Sequence, residues 1–366
     1  MSEQQQRDIQ WMREAIRAAR GGQRIAPPNP AVGCVLVRDG IVIGQGHTLP
    51  VGNDHAEVQA VKDCLAKGND LKGATAYVTL EPCSHYGRTP PCALRLINEG
   101  IGRVVIACLD PNPLVAGRGV RMLEEAGVKV EVGLCEDEAW MSNAGFMTRM
   151  VKKRPWVRLK VAMSLDGQTA LTNGVSQWIT GAEARQDGHR YRARSGAIVT
   201  GIGTVLADDP QMTVRLGDVV AQRQPLKVVL DSTLKMPLDA KILQGQTLIV
   251  TCDDQTQKAQ KLRELGAEVV SLPSDGGKVD LSALLDELGR REINDVHLEA
   301  GAVLNGAFLD ADLVDELVVY MAPKILGAGR GAFDIAKLTS LGGVRSWHVR
   351  SFERVGADLK IILTKR

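Results

Sequence analysis

Apolar residues at helical spacing open the chain: Ile9, Met12, Ile16 and Ala19. They recur every three or four residues, which is typical of one face of a helix. Two β-rich runs, "AVGCVLV" and "IVIGQG", then flank Asp39-Gly40, and Asp-Gly is a strong hairpin turn signal. The pattern therefore predicts a helix followed by a β-hairpin.

Helix and strand patterns alternate after this opening unit. The runs "ATAYVTL", "RVVIACL" and "VKVEVG" predict strands, whereas "HAEVQAVKDCLAKG", a stretch from about Cys92 and "RMLEEAG" predict helices. A long pattern, "EDEAWMSNAGFMTRMVKK", predicts one further helix. Such alternation is typical of an α/β domain.

A break in the pattern divides the chain at about residues 148–155. The charge run Lys152-Lys153-Arg154 precedes Pro155, which disfavours helix at the residue before it, and a strand pattern, "WVRLKVAMS", follows. We therefore expect one domain from residue 1 to about 148 and a second from about 155 to 366. The second repeats the α/β alternation and closes with "FERVGADLKIILTKR", which predicts a final antiparallel strand.

Length and charge support two domains and limit the partners. The chain has 366 residues, whereas single cores stop growing near ~250 to 300 residues. Lys plus Arg (45) nearly balance Asp plus Glu (43), and no apolar run approaches the roughly 18 residues of a membrane span. We therefore expect neither a membrane nor a nucleic acid as partner.

The cysteine content predicts a reducing compartment. Seven cysteines are an odd number at low density, and the first residues, "MSEQQQRDIQ", have neither a basic segment nor an apolar one of the kind found in signal peptides. A cytoplasmic location is expected, and a disulfide is not.

Two of these cysteines lie in the stretch "TLEPCSHYGRTPPC". Together with His55, Cys83 and Cys92 would give Zn²⁺ three protein ligands and leave a fourth position open, as catalysis requires. The pattern H-x-E followed by P-C is typical of zinc deaminases, in which the glutamate, here Glu57, carries protons and is not a ligand. In that pattern the second cysteine follows after two residues, whereas here eight intervene.

Other interpretations of this stretch remain open. The longer loop allows His85 to act as the fourth ligand of a closed structural zinc site, but Glu57 would then have no role. His85 could instead contact the substrate or the loop. Both thiols could also be small buried apolar residues, as we expect for the remaining cysteines: Cys34, Cys64, Cys108, Cys135 and Cys252.

Eight short stretches together resemble one family. "NPAVGCVLV", "HAEV", "TLEPCSHYGRTPPC" and "DPNPLVAGRG" are similar to the first half of the bifunctional deaminase-reductases of riboflavin biosynthesis, and "SLDGQTAL", "SQWIT", "GTVLADDP" and "EAG" to the second half. The resemblance implies a cytidine-deaminase-like domain with zinc followed by a dihydrofolate-reductase-like domain that uses NADPH. The implied substrate is 2,5-diamino-6-(5-phosphoribosylamino)pyrimidin-4-one, which is deaminated before its ribosyl unit is reduced to ribityl.

The same resemblance implies the residues of both sites. In the first domain it adds Asn29 for substrate positioning, but Thr48 stands where the family often has His, so a contact there is in doubt. The implied NADPH residues are Ala162, Trp178, Thr204, Asp208, Ser232, Gly301, Ala302, Val303, Leu304, Asn305, Gly306 and Ala307. The implied substrate residues are Ser176, Arg192, Met212, Arg215 and Glu299.

Residue chemistry supports only part of this reductase site. Gly201 and Gly203 lack the third glycine of a dinucleotide fingerprint, whereas the strand-to-helix turn at Gly301 can present backbone N–H groups to a phosphate. Arginines suit the phosphate monoester of the substrate. Reduction also needs a proton donor, for which Lys160, Asp166 and Glu299 are unranked candidates.

Two other functions remain open. A nucleic-acid base deaminase would share the zinc site, but it should carry a basic surface, and the net charge is only +2. A regulatory or scaffold protein with a structural zinc would not need Glu57. A small-molecule enzyme that forms a homo-oligomer, dimer or tetramer, is the preferred interpretation.

Overall fold

A computed structural model describes residues 2–86, 90–112, 116–217, 219–221 and 223–365. The chain divides into two compact units, Met1–Lys153 and Arg154–Arg366. No helix among the described residues is long and apolar enough to cross a membrane. The family-like stretches around residues 79–92 and 110–119 each lie partly outside the described residues.

The first unit contains a mixed sheet and helices. Its strands are β1 (Gly33–Arg38), β2 (Ile41–His47), β3 (Thr75–Leu80), β4 (Arg103–Cys108) and β5 (Lys129–Val132). Its helices are α1 (Glu3–Ala19), α2 (Ala56–Ala66), α3 (Cys92–Asn98), α4 (Arg118–Glu125), α5 (Glu136–Ser142) and α6 (Ala144–Lys152). The sheet order is β2-β1-β3-β4-β5, in which β1 is antiparallel to both neighbours and β3, β4 and β5 are parallel.

Two glycines of β2 allow α2 to lie directly on the sheet. A Cβ at Gly44 would come within 2.3 Å of the Ala60 carbonyl oxygen, and one at Gly46 within 2.5 Å of the Ala56 carbonyl oxygen. Any side chain at either position would therefore push the helix away. This close packing fixes the start of α2, where the predicted metal ligand and catalytic glutamate lie.

The second unit is built on a larger sheet. Its strands are β6 (Trp156–Ser164), β7 (Gln168–Leu171), β8 (Ala197–Gly201), β9 (Arg215–Leu216), β10 (Val219–Val220), β11 (Leu226–Leu230), β12 (Thr247–Thr251), β13 (Glu268–Ser271), β14 (Ser274–Asp275), β15 (Lys278–Val279), β16 (Asp295–Leu298), β17 (Glu316–Ala322), β18 (Gly329–Gly331), β19 (His348–Val355) and β20 (Asp358–Thr364). Its α-helices are α7 (Ala182–Arg194), α8 (Ile202–Asp208), α9 (Gln257–Glu264), α10 (Leu281–Arg290) and α11 (Ala302–Asp310), and 3₁₀ turns lie at Lys241–Leu243 and Leu341–Gly343.

Nine of these strands form the main sheet, in the order β13-β12-β11-β8-β16-β6-β17-β20-β19. Neighbours from β13 to β17 are parallel, and the last two strands are antiparallel. Along β6, Val157, Leu159 and Val161 enter the hydrophobic core of one face. Side chains alternate in a strand, so Arg158 and Lys160 point to the opposite face, where the polar groups gather.

One sequence prediction about elements was wrong, and another was incomplete. The single helix predicted before the boundary is two helices, because Asn143 interrupts it. The Asn143 amide accepts from the Ala31 N–H (2.7 Å) and donates to the Ala31 carbonyl (2.8 Å), so this side chain pairs with another segment at the break. The predicted final antiparallel strand is confirmed as β20, but the residues before Gly356, which turns the chain at φ 61°, form a separate strand, β19.

Candidate functional site

Three potential metal ligands from separate segments meet in the first unit. His55 directly precedes α2, Cys83 lies in the loop after β3, and Cys92 begins α3. The Nδ1 atom of His55 lies 3.6 Å from the Cys83 sulfur and 3.3 Å from the Cys92 sulfur. One donor atom from each residue falls within 4.8 Å of the other two. This spacing suits a single ion.

The electrostatics of the cluster supply one anionic ligand. Hydrogen bonds from Cys92 and His55 lower the pKa of the Cys83 thiol to about 4, whereas the contact with Cys83 raises the pKa of His55 to about 9, so a bound metal displaces the imidazole proton. Two sulfurs and an imidazole nitrogen are a typical Zn²⁺ donor set, so the residues present fit that ion. His85 is exposed and is not part of the described cluster, which leaves a fourth position for water or substrate.

Glu57 lies beside these ligands without belonging to them. It occupies the first turn of α2 and is 3% exposed. Burial raises the pKa of its carboxyl to about 7, and its side chain contacts Cys92. A carboxyl in such surroundings can hold or release a proton near neutral pH, as a general acid-base requires.

Glu81 is a buried residue of this site that the sequence analysis missed. Its carboxylate accepts hydrogen bonds from the backbone N–H groups of Gly119 (2.8 Å), Gly117 (2.9 Å), Asp110 (3.2 Å) and Val120 (3.3 Å). It thereby caps the start of α4 in place of a side chain at Gly117. Because Glu81 lies two residues before Cys83, these hydrogen bonds hold the ligand-bearing loop against the start of α4.

The remaining predicted residues of the first unit have less defined roles. Asn29 is half-buried in a turn, where its backbone N–H donates to Ala26. Thr48 is buried, and its hydroxyl accepts from the Val32 N–H at 3.0 Å, so it holds the backbone just before β1. The His47 ring packs against Gly21, where a Cβ would lie 2.8 Å from it. The role of Asn29 in binding substrate stays a prediction.

In the second unit, the predicted cofactor residues gather at one edge of the sheet. Ala162 lies near the end of β6, Thr204 and Asp208 lie on α8 after β8, Ser232 follows β11, and Gly301 follows β16. These four strands are adjacent and parallel in the sheet. Ligands of open α/β sheets bind at the carboxyl ends of such strands. This edge of the sheet is therefore a suitable binding site for a nucleotide.

The helix after β16 exposes only part of its predicted phosphate segment. Gly301 is the N-cap of α11, and Val303 in its first turn is 62% exposed. Asn305 is buried, and its amide donates to Ala300 and Ala332. A Cβ at Gly306 would meet the Asp334 carbonyl oxygen at 1.8 Å. Gly306 therefore serves helix packing, whereas residues 301–304 can present N–H groups to a phosphate.

The polar face of the sheet holds a cluster of charged groups. Arg192 on α7 donates to Glu299 through two nitrogens (3.1 and 2.5 Å), and Glu299 also contacts His297 Nε2 at 2.9 Å. Despite its burial, the pKa of Glu299 lies well below its usual value because of Arg192 and Lys160. Burial lowers the pKa of Lys160. Leu159 and Leu298 pair in register, so Lys160, within β6, lies beside Glu299, which directly follows β16.

The third proton-donor candidate differs from these two. The Asp166 carboxylate accepts from the Ser164 hydroxyl and from the backbone N–H groups of Leu326 and Gly327, at 2.5 to 3.2 Å. These hydrogen bonds lower its pKa. The geometry favours Asp166 as an ionised anchor of a loop.

Three other predicted residues lie on surface segments of the second unit. Ser176 is half-buried, and Trp178 is 63% exposed with the Arg185 guanidinium stacked 4.2 Å from its ring. The hydroxyl of Ser232 accepts from the Val279 N–H at 3.1 Å. For these positions, binding of cofactor or substrate stays a prediction.

Both units match known protein families. Residues 5–108 match the cytidine and deoxycytidylate deaminase zinc-binding region, and residues 155–361 match the RibD C-terminal domain. The riboflavin biosynthesis protein RibD of Haemophilus influenzae is 41% identical over 377 residues, which cover 100% of each chain.

Solved structures agree with these matches. RibD of Acinetobacter baumannii superposes with a TM-score of 0.88 at 43% identity, covering 98% of this chain and 99% of that one. A diaminohydroxyphosphoribosylaminopyrimidine deaminase/5-amino-6-(5-phosphoribosylamino)uracil reductase from Thermotoga maritima gives a TM-score of 0.87 at 33% identity over 100% of both chains.

The comparisons confirm the fold class and both cofactors expected from the sequence. A zinc-binding, cytidine-deaminase-like domain is followed by a dihydrofolate-reductase-like domain that uses NADPH. The chain thus belongs to the RibD family of bifunctional deaminase and reductase enzymes of riboflavin biosynthesis.

Proposed function

We propose that the first unit deaminates 2,5-diamino-6-(5-phosphoribosylamino)pyrimidin-4-one and that the second reduces the ribosyl group of the product to ribityl. The main support for the deaminase activity is that His55, Cys83 and Cys92 lie close together beside the buried carboxyl of Glu57. The Thermotoga relative, named for both activities, supports the substrate and the order of the steps.

In the deaminase site, His55, Cys83 and Cys92 would hold Zn²⁺. When bound, zinc supplies Lewis acidity that makes water a nucleophile near neutral pH. Glu57 accepts a proton of the attacking water and delivers it to a ring nitrogen. It then takes the second proton from the newly added hydroxyl and gives it to the amino group, which leaves as ammonia while the carbonyl forms. Its burial beside Cys92 keeps this carboxyl close to the reacting atoms and away from bulk water. Asn29 positions the pyrimidine ring.

In the reductase site, NADPH would supply the hydride from the edge formed by β6, β8, β11 and β16. The N-terminal turn of α11 binds its pyrophosphate, and Thr204, Asp208 and Trp178 contact the rest. Glu299 and Lys160, adjacent on neighbouring strands, hold the ribosyl group. Because Glu299 is ionised, the Lys160 ammonium provides the proton that accompanies hydride transfer. Arg215 binds the phosphate of the substrate.

One experiment tests both halves. The pure zinc-loaded protein is incubated with the diaminopyrimidine, with and without NADPH, and products are identified by mass spectrometry. We expect ammonia and the deaminated ribosyl compound without NADPH, and the ribityl compound with it. Reduction of the diamino substrate before ammonia release would contradict the proposed order.

Partners and location follow from the same features. We propose that the chain is a small-molecule enzyme of the cytoplasm that binds no nucleic acid, since the net charge is only +2 and none of the seven cysteines forms a disulfide. Tight binding of tRNA at low salt would contradict this.

We also propose that the chain forms a homo-oligomer through β19. Among the described strands, this strand pairs only with β20, and its Val349 and Phe352 are 60% and 75% exposed. Phe352→Glu should then lower the molar mass measured by light scattering, whereas Ser351→Glu, at an exposed position of the same strand, adds the same charge and serves as the control. An unchanged mass in Phe352→Glu would exclude this interface.

A further inference from the structure

One face of α7 holds the segment that contains Arg215. The Arg215 backbone N–H donates to His189 Nδ1 at 3.1 Å, and Arg192 donates to the Thr213 carbonyl at 2.9 Å. Residues 189 and 192 are three positions apart and therefore lie on the same face of the helix. Two side chains of α7 thus contact residues 213 and 215 from one direction.

This segment depends on outside contacts for its conformation. Met212 has a backbone φ of 49°, a left-handed conformation that costs free energy in a bulky residue. The strand that follows, β9, is only two residues long. Nearby residues hold Val214, whose N–H donates to Gln224 Oε1 (2.7 Å) and whose carbonyl accepts from the Ala221 N–H (3.1 Å). The N–H of Arg215 itself instead donates to His189, which makes this contact from α7 important.

Arg192 and Arg215 differ in whether their guanidinium groups are free to bind a phosphate. Arg192 is engaged by Glu299, Thr213 and the Met212 sulfur. Arg215 is exposed, and among the described residues its guanidinium has no hydrogen bond or ion pair. Arg215 therefore offers the open guanidinium that a phosphate requires.

Helix α7 is itself firmly anchored. Asp187 accepts from the Tyr320 hydroxyl (2.7 Å) on β17 and from Lys360 (2.8 Å) on β20. His189, two residues further along, is therefore carried by a rigid element, which is a suitable base for fixing a binding residue.

The hydrogen bond from the Arg215 N–H also defines the protonation state of the His189 ring. Because Nδ1 accepts an N–H, the ring is neutral and its proton is on Nε2. Burial, together with Arg192 and Arg215, lowers the His189 pKa to about 4. The ring consequently stays neutral, and this contact persists, near neutral pH.

We infer that His189 is a positioning residue of the phosphate subsite, which fixes the backbone of Arg215 so that its guanidinium points at the substrate phosphate. The inference rests on the proposed role of Arg215. Without His189, the flexible arginine must be ordered when substrate binds, and that ordering weakens binding.

The test compares His189→Ala with His189→Asn, since the Asn side-chain oxygen can take the place of Nδ1 as acceptor. Reduction is measured with the phosphorylated intermediate and with its dephosphorylated counterpart. For His189→Ala we expect a roughly two- to tenfold higher KM for the phosphorylated compound only, as for loss of one hydrogen bond. The kcat and the NADPH dissociation constant should not change, and Asn should restore most of the KM.

Arg215→Ala separates this inference from the proposed function. It should raise the KM of the phosphorylated compound by roughly ten- to a hundredfold, as for loss of a charge-assisted contact. If Arg215→Ala abolishes the lower KM for the phosphorylated compound but His189→Ala does not, the inference about His189 is wrong and the proposed function stands. If Arg215→Ala keeps the preference, the proposed role of Arg215 is itself wrong.

A purely structural role for His189 gives a different result. His189→Ala would then raise the KM of both compounds equally or weaken NADPH binding, and either outcome overturns the inference. Should the Ala variant fail to fold, His189→Leu fills the space of the ring without an acceptor nitrogen and is measured in the same way. Circular dichroism and the thermal unfolding transition of the second unit provide the check that each variant is folded.

Discussion

Glu57 combines full burial with a position beside the metal ligands, so one substitution can separate proton transfer from metal binding. Glu57→Gln keeps the size of the side chain but cannot carry a proton. We expect deamination, measured as ammonia release, to fall by at least ~10² to 10⁴-fold, while the zinc content is unchanged. Reduction, followed as NADPH oxidation with prepared deaminated intermediate, should stay near the wild-type rate.

The reductase activity of the Glu57→Gln protein is the control for this variant. Loss of both activities in folded, zinc-containing Glu57→Gln protein would contradict the assignment of separate sites. Loss of zinc would instead place Glu57 among the ligands.

The metal ligands can be distinguished from their neighbour in the loop. Cys83→Ser and Cys92→Ser should each lose zinc, because a hydroxyl is a poor substitute for a thiolate ligand. His85→Ala should retain about one zinc per chain, since His85 is exposed and lies outside the cluster. The measurement is metal analysis after dialysis. Equal loss of zinc from His85→Ala and Cys92→Ser would overturn the ligand set.

At the scale of elements, Glu81 joins the loop after β3 to the start of α4. Glu81→Gln replaces one acceptor oxygen by an NH₂ group, which leaves up to two buried N–H groups unpaired at roughly 1 to 3 kcal/mol each. We expect the zinc dissociation constant, measured by chelator competition, to rise by about tenfold or more. Glu124→Gln, at an exposed position of α4, is the matched control. Equal zinc affinity in both variants would exclude a role for Glu81 in placing Cys83.

A second connection joins α1 to the sheet. Arg103 on β4 donates to both carboxylate oxygens of Asp8 on α1 (2.9 and 2.8 Å), and Tyr77 on β3 donates at 2.5 Å. The bond from Arg103 is the largest cause of a fall in the Asp8 pKa from 3.8 to about 2.

This depressed pKa predicts how stability changes with acid. The contribution of ionised Asp8, on the order of 2 kcal/mol, is present above its unfolded pKa and is lost as pH falls through its folded pKa. The difference in unfolding free energy between wild type and Asp8→Asn should therefore shrink between about pH 4 and pH 2. Urea unfolding of zinc-free protein measures it, and Asp39→Asn, at an exposed turn, is the control. A difference that does not vary with pH would contradict the prediction.

The elements themselves were largely predictable because apolar spacing encodes burial. The core strands and the helices around them follow periods of two and about 3.6. The errors in predicting elements arose where one polar or flexible residue interrupts the periodic apolar pattern. Asn143 exchanges hydrogen bonds with Ala31, 112 positions away, and Gly356 bends an otherwise continuous strand pattern.

The site was predictable only where chemistry lies in short motifs. His55, Glu57, Cys83 and Cys92 stand in recognisable stretches, and the structure brings the three ligands together. Glu81 and His189 were missed because their roles depend on backbone N–H groups distant in sequence. The available signal for Glu81 was its place in the family-like stretch "TLEPCSHYGRTPPC". No pattern of apolar residues marks such partners.

At the scale of the molecule, each unit has its own sheet and hydrophobic core. Removal of zinc by a chelator should therefore abolish deamination and lower the thermal stability of the first unit, because a bound ion stabilises only the fold that binds it. NADPH oxidation with the prepared intermediate should continue. Calorimetry with and without chelator, alongside both assays, checks this. Loss of reduction that returns with zinc would contradict the independence of the sites.

Placement of both units on one chain fixes their ratio at one to one, whatever the level of expression. When the first substrate is saturating, the amount of protein cancels between production and consumption of the intermediate. Its steady concentration then depends only on the two turnover numbers and the KM of the second reaction. A substitution that makes reduction slower than deamination therefore causes the intermediate to accumulate, and a cell cannot correct this by making more of the same protein.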